Sequence, residues 1–367
     1  MTKNKGHFFG LLAVGGVWLA LTLVCFFKPA GESSLAERRK LAQMPAFSLQ
    51  SALDGSYMTD FESYTLDQFP LRDTFRTLKA AQAFYVFGKK DNNGIYLADG
   101  YAAKLEYPLN VGSVTGAADK FTALYNDCIK DSGGKVYLAI APDKGYYLAE
   151  KNGYPALDYQ QMVSLLTENM PYATYIDLFG LLSAEDYYKT DTHWRQEKIV
   201  SAARRISEAM GAAPLGDYEV VTADVPFYGV YYGQAALPLP SESICYVTNP
   251  TLNGCTVTNA ENGKTYTGLI DFEKADSRDP YEMFLSGAAA VIYVENPAAA
   301  DGKELVVFRD SFGSSMVPLL AEGYRKITLI DTRYITPAFV GEFAEFENAD
   351  VLFLYSTLIL NQSAALK

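Results

Sequence analysis

Apolar runs of two different periods alternate along most of this chain. Residues 135–141, 174–177, 304–308, 326–331 and 350–355 are nearly continuous apolar runs of strand length. Residues 121–131, 159–168 and 194–210 carry apolar positions at helical spacing, and the last of these segments stops at Gly211. Buried strands joined by helices are typical of a parallel sheet with helices on both faces. The pattern therefore predicts an α/β fold with three layers.

Two other regions depart from this alternation. Between residues 216 and 280 the pattern changes to short β runs with Gly, Asn and Pro turns, which predicts a small β-rich insertion beside the sheet. Residues 29–65 begin with a charged, irregular stretch, which predicts a stalk or linker. We therefore assign the main α/β domain to residues 66–367.

Residues 8–27 are twenty consecutive uncharged and mostly apolar residues. As a helix they would span about 30 Å, the thickness of a bilayer core. The run exceeds the roughly 7–15 apolar residues of a cleavable signal peptide, so we expect an uncleaved transmembrane anchor at 8–28. Basic residues on both sides leave the positive-inside rule undecided. We expect residues 1–7 in the cytoplasm and the main domain outside it.

Charge and cysteine usage narrow the function further. Three of the 31 Lys and Arg residues and none of the 43 Asp and Glu residues precede residue 29, so the remainder has a net charge of −15. This charge repels nucleic acid, which we exclude as a partner. The chain has no CxxC motif and no histidine cluster, so we expect no zinc site and no cofactor. Cys245 and Cys255 either form a small disulfide or remain free.

Two segments carry candidate chemistry. The stretch YKTDTHW (188–194) contains His193, the one histidine beyond residue 7, two positions after Asp191. The stretch RDSFGSS (309–315) places Ser311 between a predicted strand and a helix. The carboxyl ends of such strands form the binding crevice in open α/β sheets, and the first N–H groups of a following helix favour an oxyanion. Serine needs an adjacent base to act as a nucleophile, and His193 is the available imidazole.

Structural explanations compete with this interpretation. Asp191 before a helix is compatible with a helix N-cap beside a surface histidine, and Asp310-Ser311 at a strand end is compatible with a cap. Because both segments occur in one sheet protein with a single exported histidine, we prefer the catalytic interpretation. Ser311 would be the nucleophile, His193 the base and Asp191 the carboxylate that orients the imidazole.

These segments resemble the DHHW family and, more distantly, the AlgX/AlgJ-type alginate O-acetylation proteins with an SGNH-hydrolase-like domain. Further blocks in the same order extend the resemblance over most of the exported chain: ERRKLAQMPAFS, FESYTLDQFPLRD, DNNGIY, APDK, IDTRY and DVLFLYS. The resemblance implies a flavodoxin-like SGNH fold and the same Ser311, His193 and Asp191 roles. It adds Arg333, Trp194 and Asp310 as candidate substrate contacts. For Arg333 a salt bridge is an equal alternative, and for Lys144 we favour a structural role.

The chain departs from the family pattern at two positions. Thr192 stands where the family name has a second histidine, which AlgJ-like members tolerate. Ala288 stands where the related pattern has an asparagine that donates to the oxyanion in SGNH-type enzymes. Loss of one such donor typically costs about 10²–10³ in rate. Backbone N–H groups of residues 311–313 can compensate, or the activity is low or absent.

The sequence therefore indicates a membrane-anchored acyl-ester enzyme, an O-acetyltransferase or acetylesterase for an exopolysaccharide or cell-wall glycan. The resemblance implies a multi-pass membrane O-acyltransferase as partner and acetyl source. A non-catalytic polysaccharide-binding or export scaffold is the alternative, favoured by Ala288. A glycosidase with two carboxylates is a third, weaker option because no acidic spacing singles out a pair.

Overall fold

A computed structural model describes residues 3–34, 36–299 and 302–367. The chain forms two compact units. The first comprises residues 1–92 and 232–238, and the second comprises residues 93–231 and 239–367. This division differs from the expected domain boundary at residue 66, because residues 66–92 group with the amino-terminal segment.

The first unit consists mainly of helices. Within the described residues, one helix is long and apolar enough to cross a membrane, with a mean hydropathy of 2.2 over His7–Cys25. A membrane anchor and a signal sequence both fit this helix. The elements of the unit are α1 (Lys3–Phe27), β1 (Ser33–Ser34), β2 (Arg39–Lys40), α2 (Leu49–Leu53), α3 (Ser56–Asp67), α4 (Arg72–Ala81) and β3 (Asp91–Asn92).

Polar side chains tie the expected stalk to helices of this unit. Arg39 forms a bidentate pair with Asp67 at the end of α3, with N–O distances of 2.7 and 2.5 Å. The Gln68 side chain accepts from the Gly31 N–H at 2.8 Å and donates to the Ala42 carbonyl at 3.0 Å. Residues 31–42 are therefore bonded to the helical part of the unit and do not form an isolated linker.

The second unit is built on an eight-stranded sheet in the order β11-β10-β12-β14-β13-β15-β6-β7. The five strands from β14 to β7 are parallel to one another, and β12, β10 and β11 continue the sheet in antiparallel pairing. The strands of the unit are β4 (Ile95–Ala98), β5 (Tyr101–Lys104), β6 (Val136–Ala141), β7 (Thr174–Ile176), β8 (Glu219–Phe227), β9 (Glu242–Thr248), β10 (Thr256–Asn259), β11 (Thr265–Thr267), β12 (Val291–Glu295), β13 (Lys303–Arg309), β14 (Tyr324–Ile330) and β15 (Asp350–Ser356).

Both faces of the sheet are covered, as the continuous apolar runs require. Alternate side chains point to opposite faces, so Ala139 and Leu138 of β6 belong to different buried clusters. Ile206 lies in the first cluster and Phe121 in the second. The predicted α/β fold class is confirmed. The helices are α5 (Val111–Leu124), α6 (Lys144–Leu148), α7 (Tyr159–Asn169), α8 (Val200–Met210), α9 (Val230–Ala235), α10 (Pro250–Gly254), α11 (Gly313–Met316), α12 (Val340–Phe343) and α13 (Thr357–Leu360).

Three local features differ from the sequence expectations. Strands β10 and β11 of the 216–280 insertion join the main sheet, whereas β8 and β9 form a separate antiparallel pair. The helix expected from Trp194 begins at Val200, after a short 3₁₀ turn at Gln196–Lys198. The helix after Ser311 has only four residues, Gly313–Met316, before it tightens into a 3₁₀ segment.

Candidate active site

Ser311 lies on the turn that follows β13, at the carboxyl edge of the parallel strands. The Asp310 side chain fixes this turn, because its two oxygens accept from the backbone N–H groups of Phe312 at 2.9 Å and Ser356 at 2.8 Å. Gly313 is required at the bend, since a Cβ there would lie 2.7 Å from the Arg309 Cβ. The turn is thus anchored both within itself and to the end of β15.

Asp191 and His193 lie on a tight loop, closed by a bridge between Tyr187 and Trp194. One Asp191 oxygen accepts from the His193 backbone N–H at 3.1 Å, and the other accepts from the Val230 N–H at 2.7 Å. Asp191 is fully buried. These bonds hold the carboxylate in one orientation beside the histidine of the same loop.

The two segments meet at the imidazole of His193. Its Nδ1 lies 2.6 Å from Asp191 Oδ1, and its Nε2 lies 2.8 Å from the Ser311 hydroxyl oxygen. An ionised carboxylate can only accept, so the proton resides on Nδ1 and Nε2 is left as an acceptor for the Ser311 hydroxyl. His193 is 7% exposed and Ser311 is half-buried, so the imidazole is more enclosed than the serine.

Aromatic rings hold the imidazole in place. Tyr281 stacks on His193 with ring centroids 3.9 Å apart and an interplanar angle of 7°, and Phe312 lies at 5.1 Å on a tilted plane. The Tyr281 hydroxyl lies 2.7 Å from the Ser315 hydroxyl, which also accepts from the Trp194 indole N–H at 2.9 Å. Burial raises the pKa of Tyr281 well above its ordinary value, so its hydroxyl stays protonated.

Trp194 and Asp310, which were candidate substrate contacts, lie in the protein interior. Both side chains are fully buried, and their polar atoms bond to protein groups. Neither can contact a substrate in this arrangement, because no surface of either side chain is accessible. They position Ser315 and the Ser311 turn instead.

Arg333 forms the salt bridge that was the alternative to a substrate contact. Its Nε and Nη2 lie 2.8 and 2.6 Å from the two oxygens of the buried Asp331. Burial opposes the charge of Arg333, but hydrogen bonding to Asp331 outweighs it, and the pKa of the guanidinium lies above its usual value. Arg309 Nη1 lies 3.7 Å from the same carboxylate. Asp331 thus sits between two arginines.

Backbone N–H groups near Ser311 are mostly engaged. The N–H of Phe312 donates to the Asp310 side chain, and the N–H of Gly313 donates to the Asp310 carbonyl at 3.1 Å. The expectation that residues 311–313 jointly supply oxyanion donors therefore needs correction. The Ser311 N–H has no acceptor within the residues that the structure describes, so it is the group of this set left for an oxyanion.

Lys144 is a buried lysine beside the Asp191 loop. The sequence favours a structural role for it. It is 2% exposed and donates to the carbonyls of Ala102, Tyr188 and Lys189 at 2.5, 2.8 and 3.3 Å. Burial lowers its pKa to about 7, and the Asp191 carboxylate opposes that change. Residue spacing in the sequence does not reveal the short 3₁₀ segment that carries Tyr281. It does not reveal the carbonyl partners of Lys144 either.

Cysteines and metal ligands do not add to this site. Cys245 and Cys255 are both free, and the Cys255 thiol contacts the Thr251 carbonyl oxygen at 3.4 Å. Across residues 3–34, 36–299 and 302–367, no group of three or more His, Cys, Asp or Glu side chains is arranged to hold a metal ion.

Comparison with known families agrees with the resemblance seen in the sequence. The family model described as DHHW protein matches residues 160–330, a range that contains Asp191, His193 and Ser311. The resemblance to the DHHW family is confirmed. Within this matched segment, the Thr192 hydroxyl accepts from the Tyr231 hydroxyl at 3.0 Å.

Solved structures share the fold of the matched segment and its surroundings. A DHHW family protein from Eubacterium siraeum aligns with a TM-score of 0.60 at 21% identity, covering 75% of this chain and 94% of that one. Bacillus cereus PatB1 aligns with a TM-score of 0.59 at 19% identity, covering 72% and 96%. PatB1 has also been solved with a sulfonyl adduct. A search of curated protein sequences finds no significant match.

Ala288 follows a loop of the matched segment that has left-handed backbone angles. Leu285, Ser286 and Gly287 have φ angles of 54°, 58° and 78°, a left-handed run that only glycine adopts without strain. The Gly287 carbonyl accepts from Arg309 Nη2 at 3.2 Å, which ties the loop to the end of β13. The Ala288 methyl group cannot donate a hydrogen bond, so this side chain supplies no donor to an oxyanion.

Proposed function

We propose that this chain is a membrane-anchored, extracytoplasmic enzyme that transfers or hydrolyses acyl esters, most simply acetyl esters, on an exopolysaccharide or cell-wall glycan. Ser311 would be the nucleophile, His193 the general base and acid, and Asp191 the carboxylate that orients the imidazole. The single observation that carries this proposal is the 2.8 Å contact between His193 Nε2 and Ser311 Oγ, with Asp191 at 2.6 Å from Nδ1.

The acylation step follows from this geometry. Ser311 Oγ attacks the carbonyl carbon of the acyl donor as His193 Nε2 takes the hydroxyl proton. The imidazolium is stabilised by Asp191, whose other oxygen remains bonded to the Val230 N–H. His193 then returns the proton to the departing oxygen, and the acyl group remains as an ester on Ser311. The Ser311 N–H is the backbone donor available to the developing oxyanion.

The second step reverses the roles. A sugar hydroxyl or a water molecule gives its proton to His193 Nε2 and attacks the ester carbonyl of the acyl-serine. Ser311 Oγ leaves and recovers the proton from the imidazolium. With a sugar the product is an O-acylated glycan, and with water it is the free acid. Both outcomes use the same residues, so the acceptor decides between transferase and esterase.

Release of p-nitrophenol from p-nitrophenyl acetate tests the proposal on the full chain in detergent. We expect the wild type to release p-nitrophenol and to carry an acetyl group on Ser311 by mass spectrometry. Ser311→Ala should lose at least 10³-fold in kcat, because the ester intermediate cannot form. A sulfonyl fluoride should add its sulfonyl group to Ser311 in the wild type.

A matched control and a rival function complete this test. Ser201 is an exposed serine of α8, so Ser201→Ala should release p-nitrophenol at the wild-type rate. If wild type and Ser311→Ala are equally inert and neither acetyl- nor sulfonyl-serine forms, the catalytic proposal fails. The chain would then be a non-catalytic polysaccharide-binding or export scaffold, which the missing side-chain donor at Ala288 favours.

The membrane part of the proposal concerns α1 and an acyl donor. The apolar helix supports an anchor that holds the second unit outside the cytoplasm, with a multi-pass membrane O-acyltransferase as partner and acetyl source. In intact cells, added protease should digest the carboxyl-terminal part, and alkaline carbonate should leave the chain in the membrane fraction. Protection from protease or release by carbonate would contradict this arrangement.

A further inference from the structure

Two adjoining cavities lie beside β7 and are not part of the Ser311 site. Each has a volume of about 420 Å³, and they share Tyr146, Tyr159 and Gln160 as lining residues. Phe179 and Asp177 line the second cavity and Glu150 lines the first. A cavity of this size with aromatic walls and a few polar groups is of the kind that binds small organic ligands or single units of a polymer.

Tyr146 is the central wall of both cavities. Its ring makes edge-to-face contacts with Tyr159 at 5.0 Å and 86° and with Phe179 at 4.8 Å and 75°. The residue nevertheless remains 42% exposed. Edge-to-face neighbours fix the plane of the ring, so an accessible aromatic surface is held ready for a ligand.

Tyr159 connects the cavities to the interior. Its hydroxyl donates to the buried Asp143 at 3.0 Å, and Asp143 also accepts from the Thr357 hydroxyl at 2.7 Å. The Tyr147 hydroxyl donates to the Phe179 carbonyl at 3.1 Å. The aromatic walls are thus bonded to the segment that follows β6, which is itself bonded to α13, and they do not need to be ordered by the ligand.

The cavities open at the same edge of the sheet as Ser311. Tyr146 follows the carboxyl end of β6, Phe179 follows that of β7 and Ser311 follows that of β13, and these strands are parallel. The order β13-β15-β6-β7 puts two strand spacings between β13 and β6 and three between β13 and β7, so Phe179 is the more distant of the two aromatic residues. At about 4.8 Å for each spacing, these are about 10 and about 14 Å, distances that a ligand of several linked units can bridge and a single acyl ester cannot.

The charge of the lining restricts the ligand further. Glu150, Asp158 and Asp177 contribute carboxylates, and among the residues that the structure describes neither cavity is lined by a lysine, arginine or histidine. A polyanion such as a polyuronate would be repelled, whereas hydroxyl, amide and ammonium groups can bond to these carboxylates. Sugar rings offer an apolar C–H face for Tyr146 and donors for the carboxylates.

We propose that the cavities around Tyr146 are a distal subsite that holds uncharged or amino sugar units of the glycan whose acylated unit lies at Ser311. The proposal rests on the proposed function for the identity of that glycan, but the subsite itself is defined by aromatic walls and carboxylates. This subsite makes the protein bind a polymer more tightly than an isolated sugar. It also favours a neutral or amino glycan over a polyuronate.

Calorimetric titration of the full chain in detergent tests this subsite without turnover. The protein is Ser311→Ala, and the probes are hexasaccharides of glucose, N-acetylglucosamine, glucosamine and galacturonic acid. We expect at least one of the first three to bind, and the galacturonate hexamer to bind at least tenfold more weakly. Adding Tyr146→Ala should weaken the binding at least tenfold. Gln160→Ala, an exposed change on the shared wall, should weaken it about threefold and keeps the test valid if Tyr146→Ala unfolds.

Tyr85, an exposed tyrosine of the first unit, provides the matched control, and Tyr85→Ala should bind as Ser311→Ala alone does. The subsite is overturned if none of the three uncharged or amino hexamers binds, if the galacturonate hexamer binds best, or if folded Tyr146→Ala and Gln160→Ala both retain full affinity. Acetate release by the wild type is measured separately. Loss of binding with intact acetate release therefore overturns the subsite alone.

Discussion

The two segments that meet at His193 are held in place by different chemistry. The Ser311 turn is held by the Asp310 carboxylate, which bonds to two backbone N–H groups, and by Arg309, which donates to the Ser314 hydroxyl at 3.2 Å. The Asp191 loop is held by Lys144, which donates to the backbone carbonyls of Tyr188 and Lys189. One side of the site thus depends on a carboxylate and a guanidinium, the other on a buried amine.

This difference predicts different responses to pH. Burial lowers the pKa of Arg309, but a guanidinium still keeps its proton throughout the neutral range. Burial lowers the pKa of Lys144 to about 7, so its charge changes within that range. The three carbonyls around Lys144 match the three N–H donors of an ammonium group, and a neutral amine lacks one of them. The stability of the Ser311 turn should not change with pH in the neutral range, whereas the stability of the Asp191 loop should.

Asp310→Ala is expected to have the largest effect. It leaves the N–H groups of Phe312 and Ser356 buried without acceptors, which costs about 3 kcal/mol of the free energy of unfolding. The melting temperature should fall by roughly 5–10 °C. Amide hydrogen exchange should accelerate in residues 308–316 and not in residues 187–194. Thermal melts and exchange measured by mass spectrometry provide both readings.

A surface aspartate supplies the control for this change. Asp276 is exposed, so Asp276→Ala should melt within about 1 °C of the wild type. Asp310→Asn keeps one acceptor oxygen and should fall between the wild type and Asp310→Ala. If Asp310→Ala keeps the wild-type melting temperature and exchange, the turn does not depend on this carboxylate.

Lys144→Met is expected to have an intermediate effect on the other segment. The Lys189 carbonyl keeps its bond from the Ala102 N–H at 2.8 Å, but the Tyr188 carbonyl loses the donor from Lys144. The free energy of unfolding should fall by about 1–3 kcal/mol. Exchange should accelerate in residues 187–194 and not in 308–316. Lys130 is exposed, so Lys130→Met should change neither the free energy of unfolding nor the exchange rates. If exchange in Lys144→Met accelerates equally in residues 187–194 and 308–316, the contrast between the two segments is removed.

Much of the fold could be predicted from the sequence because burial leaves a direct pattern. The strands at Val136–Ala141 and Asp350–Ser356 are buried at every position between two helical layers, and their limits agree with the predicted runs within a residue or two. Strand Val291–Glu295 was missed. It pairs antiparallel with β14, and such pairing depends on partners distant in the chain.

The candidate site could be predicted only in part. Ser311, His193 and Asp191 were selected by their chemistry and by the rule that ligands bind at the carboxyl ends of parallel strands. Their roles remain a proposal, while their proximity is a property of the fold. Tyr281 could not be selected, because a ring that stacks on an imidazole needs no sequence spacing. Lys144 was set aside because carbonyl partners are not encoded by residue type.

The last expected effect is the pH dependence contributed by Lys144. In the unfolded chain this lysine has a pKa near 10.5, whereas in the folded chain it lies at about 7. Between pH 7 and 10.5 the unfolded state binds more protons than the folded state, so the free energy of unfolding increases as the pH rises. As the pH falls towards 7, this increase is lost. The rise is at most about 1.4 kcal/mol for each pH unit. It is measured as the difference in free energy of unfolding between wild type and Lys144→Met from pH 6.5 to 9.

The difference in free energy of unfolding between wild type and Arg309→Met gives the corresponding measurement for the Ser311 turn. It should stay flat from pH 6.5 to 9, because the guanidinium keeps its charge across that range. The charged groups that face Lys144, the carboxylates of Asp143, Asp191 and Glu242, all favour the ammonium form, and burial opposes them. A flat difference for Lys144→Met as well would mean that those carboxylates and the three carbonyls outweigh burial. Lys144 would then hold the Asp191 loop as a permanent cation, and the two sides of the site would respond to pH alike.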